Sequence, residues 1–503
     1  MNQIKIGVIL SYVNIFLTNV IGLILTPFII RSLGSSEYGL YTLIGSFIAY
    51  LALMDFGLTN TIIRFVAKYR AEKNSEGEKK FLGSIFIIYF VISAILVAIG
   101  VFFYFKLDVI FQKSLTVDEI RKAKIMFQFL IFDLAIALPG GAFTAICNAY
   151  EYFAIPRIVS IIKYLFRTIT ILAVLTLGGK AISLVIIDTI LNVLTILTVS
   201  YFVFKKLNVK IHFKGLEIPL VKNIFKYSIW IFIYVVIQTF QWNFGQLVLG
   251  INTNTLQVAI FGIGIMLGSY YGAFPAAINN VLLPRATQMI VSNNNATELS
   301  KAMTQIARIN IMVQYLILTG FILFGQAFIK LWVGDEYKQS WIIALIVMVV
   351  LTIPLTQSFG NSILEAKNKV KFKAILNLIT MTFGVFFGYY FSLHYGMLGI
   401  ISSIAAAMLV NSVITNVYFV KIFGFEINYF FKEVFLKQTL YLALLTLGMY
   451  YLISLFSISK WIELLVCGFG FVVIYSLFYY FILMNDYEKG LILKAVNRKR
   501  QNK

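Results

Sequence analysis

From Phe81 to Phe103 the chain reads FLGSIFIIYFVISAILVAIGVFF, a run without a single Asp, Glu, Lys, Arg or His. As a helix rising ~1.5 Å per residue, such a run crosses the ~30 Å hydrocarbon core of a bilayer. Runs of this kind recur on both sides of it, between Ile6 and Met484. They predict about fourteen spans, near residues 6–30, 39–63, 81–103, 123–146, 158–177, 181–204, 223–250, 258–283, 305–329, 340–363, 374–393, 397–420, 438–456 and 461–484. Over all 503 residues the chain is 60% apolar and 13% charged, with a mean hydropathy of +0.88. Soluble domains carry roughly 25% charge. That difference excludes a soluble globular domain, a disordered chain and a secreted disulfide scaffold. The first run, Ile6 to Ile30, is too long for a signal-peptide core and is expected to stay as the first helix. The fold class expected is an all-α polytopic membrane protein.

Charge sets the orientation. There are 42 Lys and Arg against 21 Asp and Glu, a formal net charge of +21. With the N-terminus inside, cytoplasmic segments collect about 30 of the basic residues and the opposite side about ten, the bias expected of cytoplasmic loops. Both termini are therefore expected in the cytoplasm of a cell-membrane protein. The basic blocks Arg64–Lys80, Lys205–Lys226, Lys367–Lys373 and Arg498–Arg500 suit anionic lipid headgroups, and nucleic acid is not expected as a partner. Cys147 and Cys467 lie in or beside apolar runs and imply no disulfide framework. His212 and His394 are far apart, so no metal site is expected. The segment Lys421–Lys437 interleaves phenylalanines with lysines, which suits an interfacial helix or an extension of the twelfth span.

A faint internal repeat is present. Tyr201-Phe202-Val203 closes the sixth span and Tyr418-Phe419-Val420 the twelfth, while Pro139 and Pro354 occupy similar places in the fourth and tenth. Six spans per copy is an even number, so the copies share an orientation and are related by an axis along the membrane normal. The expected organisation is a six-helix lobe over 1–210, a second over 211–425, and two extra helices with a basic tail over 426–503.

No soluble-type catalytic signature is present: no DxD, GxSxG, Walker loop or HExxH. The external acidic residues Glu37, Asp108, Asp118, Glu119, Asp335 and Glu336 are scattered over short loops. A transporter rather than an enzyme is expected, without a cofactor apart from H+ or Na+ as a coupling ion. Ionisable groups inside spans cost ~2.5–3.5 kcal/mol each on insertion scales and mark function. Five lie clear of the span ends: Asp55, Asp133, Lys163, Arg167 and Asp188, all in the first repeat. Lys163 is ~9 Å and Arg167 ~15 Å from Arg157 along their helix, one turn apart on one face. Lys163 can snorkel toward the cytoplasm; Arg167 needs either a water-filled cavity or a partner, and Asp133 on the preceding helix is the partner expected. Asn14 and Thr18 on the first span, and Gln238, Gln241, Trp242 and Gly245 on the seventh, add polar or small stripes. Pro27, Pro139, Pro275, Pro284 and Pro354 are expected to interrupt spans.

Several stretches carry a family resemblance. They are Thr26-Pro27 through Arg31, Gly34, Glu37-Tyr38-Gly39 and Tyr41; Met54-Asp55-Phe56-Gly57 through Asn60 to Arg64; Leu331-Trp332-Val333-Gly334 to Tyr337; Ala366-Lys367-Asn368-Lys369; and Tyr395-Gly396 to Gly399. In this order the chain resembles the polysaccharide-unit flippases of the MOP exporter superfamily, the group of O-antigen, capsule and teichuronic-acid exporters. The resemblance implies fourteen helices in two lobes around a cavity, plus two C-terminal helices. It implies transfer of an undecaprenyl-diphosphate-linked oligosaccharide across the cytoplasmic membrane by alternating access, often coupled to an ion gradient. A polysaccharide polymerase and chain-length machinery are then partners to expect. Many relatives carry an acidic residue midway along the seventh helix, where this chain reads Gln241-Trp242-Asn243-Phe244-Gly245-Gln246. That departure moves weight to the first lobe's carboxylates.

Arg167 and Lys163, with Asn14, Gln238 and Gln241, are accordingly expected to meet substrate, and Asp55, Asp133 and Asp188 to couple an ion. Guanidinium suits a diphosphate by its fixed fork of donors. Two alternatives stand beside this reading. A multidrug or cation exporter of the same superfamily would want a net acidic, aromatic-lined cavity. A membrane-embedded glycosyl-polymerase or ligase would want a sizeable external loop.

Overall fold

The computed structural model describes residues 3–213, 218–279, 282–292, 295–367, 369–454 and 458–490, and among them there is no β-strand. Seventeen α-helices follow one another: α1 Gln3–Leu33, α2 Ser35–Leu51, α3 Leu58–Ala71, α4 Ser75–Phe111, α5 Val117–Ala149, α6 Ala154–Thr176, α7 Ala181–Lys205, α8 Ile218–Asn252, α9 Thr255–Asn279, α10 Leu282–Val291, α11 Ala296–Trp332, α12 Ser340–Thr356, α13 Ser358–Ala366, α14 Val370–Phe423, α15 Ile427–Phe430, α16 Lys437–Ser454 and α17 Trp461–Phe478. Polar side chains fix several starts. Asn74 accepts from Gly77 N at 2.8 Å. Thr116 with Glu119, and Asn295 with Glu298, form capping boxes at α5 and α11.

Eleven of these stretches are long and apolar enough to cross a membrane, and the pair α12 and α13, bent by 46°, makes a twelfth. One of the eleven, Lys371–Phe423, has 53 residues, more than twice the ~20 a span needs. It turns back at Gly396, whose φ of 55° and ψ of −132° leave the helical region. Beyond the turn Asn411 bonds Asn377 at 2.7 Å, and Phe372 stacks on Tyr418 at 3.8 Å between centroids. The paired residue numbers keep a nearly constant sum, so the two arms are antiparallel and make two spans. The 35-residue α8 occupies the seventh expected span. The helices thus fall on the fourteen stretches expected.

By packing, the chain divides into two compact units: Met1–Gly262 with Val385–Ile400, and Ile263–Gly384 with Ile401–Lys503. In the first, α2 lies in the core with Leu40, Leu43 and Ile44 fully buried. Phe47 packs edge-on against Phe103 and Phe127 at 5.2 and 5.3 Å. Phe102, Phe105, Phe166 and Ile169 point outward with more than half their surface free, as lipid-facing side chains do. At one end Tyr150 donates to Glu78 at 2.6 Å while the Arg70 guanidinium lies 3.6 Å above its ring. Burial and the Glu78 carboxylate push the Tyr150 hydroxyl above the usual phenol range, so it remains a donor.

In the second unit Arg308 of α11 is almost fully buried. It forks onto Glu488 at 2.6 and 3.1 Å and donates to the carbonyls of Glu433 and Leu483. Those contacts fasten the segments flanking α16 and following α17 to α11.

Two sequence expectations change here. The Lys421–Lys437 segment is not an interfacial helix: Phe423, Phe425 and Phe430 are buried in the protein, and the chain from Ile427 runs into the span ending at Ser454. Pro27 and Pro139 do not interrupt their helices, which continue through them. The second span is broken instead at Phe56 and Gly57, both left-handed, after a 3-10 turn over Ala52–Asp55. Pro354 does sit beside a break, at Gln357 between α12 and α13. The side chains of Pro275 and Pro284 and the basic tail 498–500 lie outside the described residues.

Candidate functional site

Helix α6 has two unlike faces. Ile162, Leu165, Phe166, Ile169 and Leu172 are exposed, while Ser160, Lys163, Tyr164 and Arg167 turn toward neighbouring helices. Three hydrogen bonds hold α6 parallel to α1 in one register: Arg157 to Ser11 at 3.2 Å, Ser160 to Asn14 at 3.5 Å and Tyr164 to the Thr18 carbonyl at 3.1 Å. Asn14 therefore meets α6 and orients it.

The same face of α6 meets α7 as an antiparallel partner. Arg167 forks onto Asp188, Nε to Oδ1 at 2.5 Å and Nη2 to Oδ2 at 2.9 Å. Tyr41 of α2 closes the group, its hydroxyl 3.3 Å from both Arg167 Nη2 and Asp188 Oδ2. One turn along, Lys163 donates to Asn192 Oδ1 at 3.2 Å, and the Asn192 amide donates to Asp133 Oδ1 at 2.8 Å. Spacings of four residues on both helices place these links side by side.

The partner expected for Arg167 is thus corrected. Asp188, not Asp133, holds it, because α6 and α7 pack as a hairpin that brings residues 167 and 188 level, while Asp133 on α5 sits behind Asn192. The fork is incompletely buried: the Arg167 and Asp188 side chains keep 19% and 28% of their surface exposed. Among the described residues Arg167 Nη1 makes no hydrogen bond, and the Lys163 ammonium makes a single one. Exposed charge at that depth is tolerable only beside water or a polar ligand. The face therefore offers N–H donors inside the span region, with its charges balanced by two carboxylates.

Asp55 lies apart from this cluster, at the break between α2 and α3. Its Oδ1 accepts from Tyr89 at 2.9 Å and from Thr59 at 3.2 Å. Among the described residues it forms no ion pair. Gln238 and Gln241 are half-buried on α8, and both have interaction partners. The sequence reading missed Tyr41, Asn192 and Tyr89 as partners. Asn192 carried a signal, four residues after Asp188 on one helix face; Tyr41 and Tyr89 come from distant helices and carried none.

The structure resembles that of a lipid II flippase MurJ in an inward closed conformation, with a TM-score of 0.71 at 17% identity, covering 95% of this chain and 100% of that one. It also resembles an inward-facing multidrug resistance MATE family transporter of the MOP superfamily, with a TM-score of 0.64 at 14% identity over 80% and 93% of the two chains. These likenesses establish the fold. In sequence the chain is 21% identical over 385 residues to a protein of Shigella flexneri named "Putative O-antigen transporter", covering 74% of this chain and 87% of that one. The family described as polysaccharide biosynthesis protein matches residues 4–290, more than half of the chain, and the protein belongs to that family.

Proposed function

We propose that this multi-pass membrane protein is a flippase. Its cargo in this reading is an undecaprenyl-diphosphate-linked oligosaccharide, carried across the cytoplasmic membrane by alternating access. The observation that carries the reading is the Lys163–Arg167 face, with N–H donors at span depth that are unspent among the described residues, beside a balanced pair of carboxylates. A diphosphate leaving water loses hydration that only buried donors and cations can replace. Family membership and the name of the Shigella relative support the polysaccharide assignment. In this reading Lys163 and Arg167 Nη1 meet the diphosphate, and Gln238 and Gln241 meet sugar hydroxyls. Asp55, Asp133 and Asp188 are the groups that exchange H+ or Na+. The moving parts are the lobes 1–210 and 211–425, both termini are cytoplasmic, and a polymerase with its chain-length machinery receives the product.

The multidrug alternative predicts a net acidic site. Here Arg167 balances Asp188, and Lys163 and Asp133 share Asn192, which leaves no excess negative charge on that face. The test is purified protein in liposomes given two substrates, a fluorescent undecaprenyl-diphosphate oligosaccharide and a lipophilic dye cation. The reading expects the first to change leaflet and the second to be ignored. Transport of the cation alone would refute it.

A further inference from the structure

Glu119 does two jobs with two oxygens. Its Oε2 accepts from Thr116 N at 2.8 Å and Thr116 Oγ1 at 2.9 Å, closing the cap of α5. Its Oε1 accepts from Ser36 at the start of α2 at 2.5 Å and from Thr255 at the start of α9 at 3.1 Å. A cap needs only the first oxygen; the second ties three helix ends together. Beside this bridge α2 and α9 approach closely. A Cβ on Gly39 would strike the Thr255 backbone carbonyl, so only glycine lets α2 and α9 approach this closely. Nearby, Gly250 packs against the end of the Leu43 side chain, and Ser114 donates to the Gly250 carbonyl. Beside it Glu37 accepts from Lys122 at 3.0 Å and from Ala181 N at 3.0 Å, fixing the ends of α5 and α7 to α2.

We infer that Glu119 is a gate-positioning residue: its Oε1 bridge to Ser36 and Thr255 latches the start of α9 onto α2 and seals the end of the protein assigned to the outside. The role in transport rests on the flippase reading above, whereas the latch rests on these contacts alone. The covered surface lies just beneath. Thr42, the next turn of α2, is part-buried, and a Cβ on Gly262 of α9 would lie 3.9 Å from its side chain. Opening of the latch uncovers Thr42.

Ser36→Ala with Thr255→Val separates the two jobs, because it removes both donors to Oε1 and leaves Oε2 on the cap. Glu119→Gln would not, since its NH2 can donate to the same two hydroxyl oxygens. In a background with Cys147 and Cys467 replaced by alanine, Thr42→Cys is labelled from outside with an impermeant maleimide. The pair Ser36→Ala with Thr255→Val is expected to raise the labelling rate at least about tenfold, the scale of one lost charge-assisted hydrogen bond. Thr116→Ala, which weakens the cap and keeps the bridge, is expected to leave that rate unchanged. Ser36→Cys with Thr255→Cys, joined by a short bifunctional thiol reagent, is expected to hold the rate low although both hydroxyl bonds to Oε1 are gone. An unchanged rate in the Ser36→Ala, Thr255→Val pair overturns the latch. Because labelling needs no substrate, a failure of the oligosaccharide assay with labelling as expected would instead overturn the flippase reading.

Discussion

Arg167 and Asp188 face each other across the α6–α7 hairpin as a two-point fork, 2.5 and 2.9 Å, with Tyr41 touching both. Removing one member strands the other within the membrane. Arg167→Leu or Asp188→Leu alone is expected to lower the melting temperature of the detergent-purified protein. The cost should lie below the ~3–5 kcal/mol typical of breaking a fully buried pair, since both side chains keep some exposure. Arg167→Leu with Asp188→Leu together should recover much of the loss. Exchanging Arg167 with Asp188 should restore folding, and exchanging Arg167 with Asp133 should not; rescue by the second exchange would overturn the pairing.

Lys163 is the cleaner test of the cargo's charge. It makes one hydrogen bond, to a neutral amide, and reaches Asp133 only through that amide, so Lys163→Met should cost less melting temperature than Arg167→Leu. Flipping of the lipid-linked oligosaccharide in liposomes should fall by more than tenfold, as expected when a buried phosphate loses a charged partner. Lys163→Arg keeps the charge and should retain part of the activity. Normal flipping by Lys163→Met would remove this residue from the substrate path.

The fold was legible because hydrocarbon solvent leaves a chain few choices: apolar runs near twenty residues must be helices. The hairpin at Gly396 and the seventh span were equally visible as runs. What could not be read was which helices lie side by side. Asp133 looked like the partner of Arg167 because it lies at similar depth on the preceding span, yet partner choice depends on the antiparallel register of α6 on α7. The break at Phe56–Gly57 was hidden because hydropathy does not register a left-handed backbone. Prolines were the misleading signal: α1 and α5 pass through theirs unbroken.

The buried Arg308–Glu488 pair predicts that the C-terminal helices are needed for a stable fold. Both side chains are only 7% exposed, and the arginine has further bonds to the Glu433 and Leu483 carbonyls. Glu488→Gln should lower the melting temperature by more than Glu463→Gln, because an unpaired buried guanidinium costs about 3–5 kcal/mol, whereas a glutamine still serves the cap that Glu463 makes. Deletion from residue 426 onward should leave little folded protein. Equal effects of the two substitutions would contradict the anchoring role.

Orientation can be checked at exposed turns. Cysteines replacing Lys113, Lys180 and Lys338 should react with an impermeant reagent on intact cells, and those replacing Ser75, Lys206 and Lys421 only after the membrane is opened. The positive-inside bias is the physical basis. Reversal at two or more positions would place the termini outside.

Asp55 is the residue expected to respond to an ion gradient. It sits where the second span is broken, between a 3-10 turn and two left-handed residues; its side-chain partners are the hydroxyls of Tyr89 and Thr59, and the backbone N–H groups of Gly57 and Thr59 also turn to it. Hydroxyls can donate to a carboxylate or accept from a carboxylic acid, so the Tyr89 and Thr59 side chains suit either protonation state. A break in a span also lets a local change swing the two halves differently, which links titration to movement. The competing role is a fixed brace for the break. Asp55→Asn keeps the shape and most hydrogen bonds while removing titration. Proteoliposomes with Asp55→Asn should therefore flip substrate at a rate independent of imposed proton or sodium gradients, while the unchanged protein responds to one of them. Tyr89→Phe, which removes one donor worth about 1 kcal/mol, should shift the pH at which flipping is half-maximal without abolishing the gradient response. If Asp55→Asn protein keeps the gradient response of the unchanged protein, the carboxylate is a brace and the coupling group must be sought at Asp133 or Asp188.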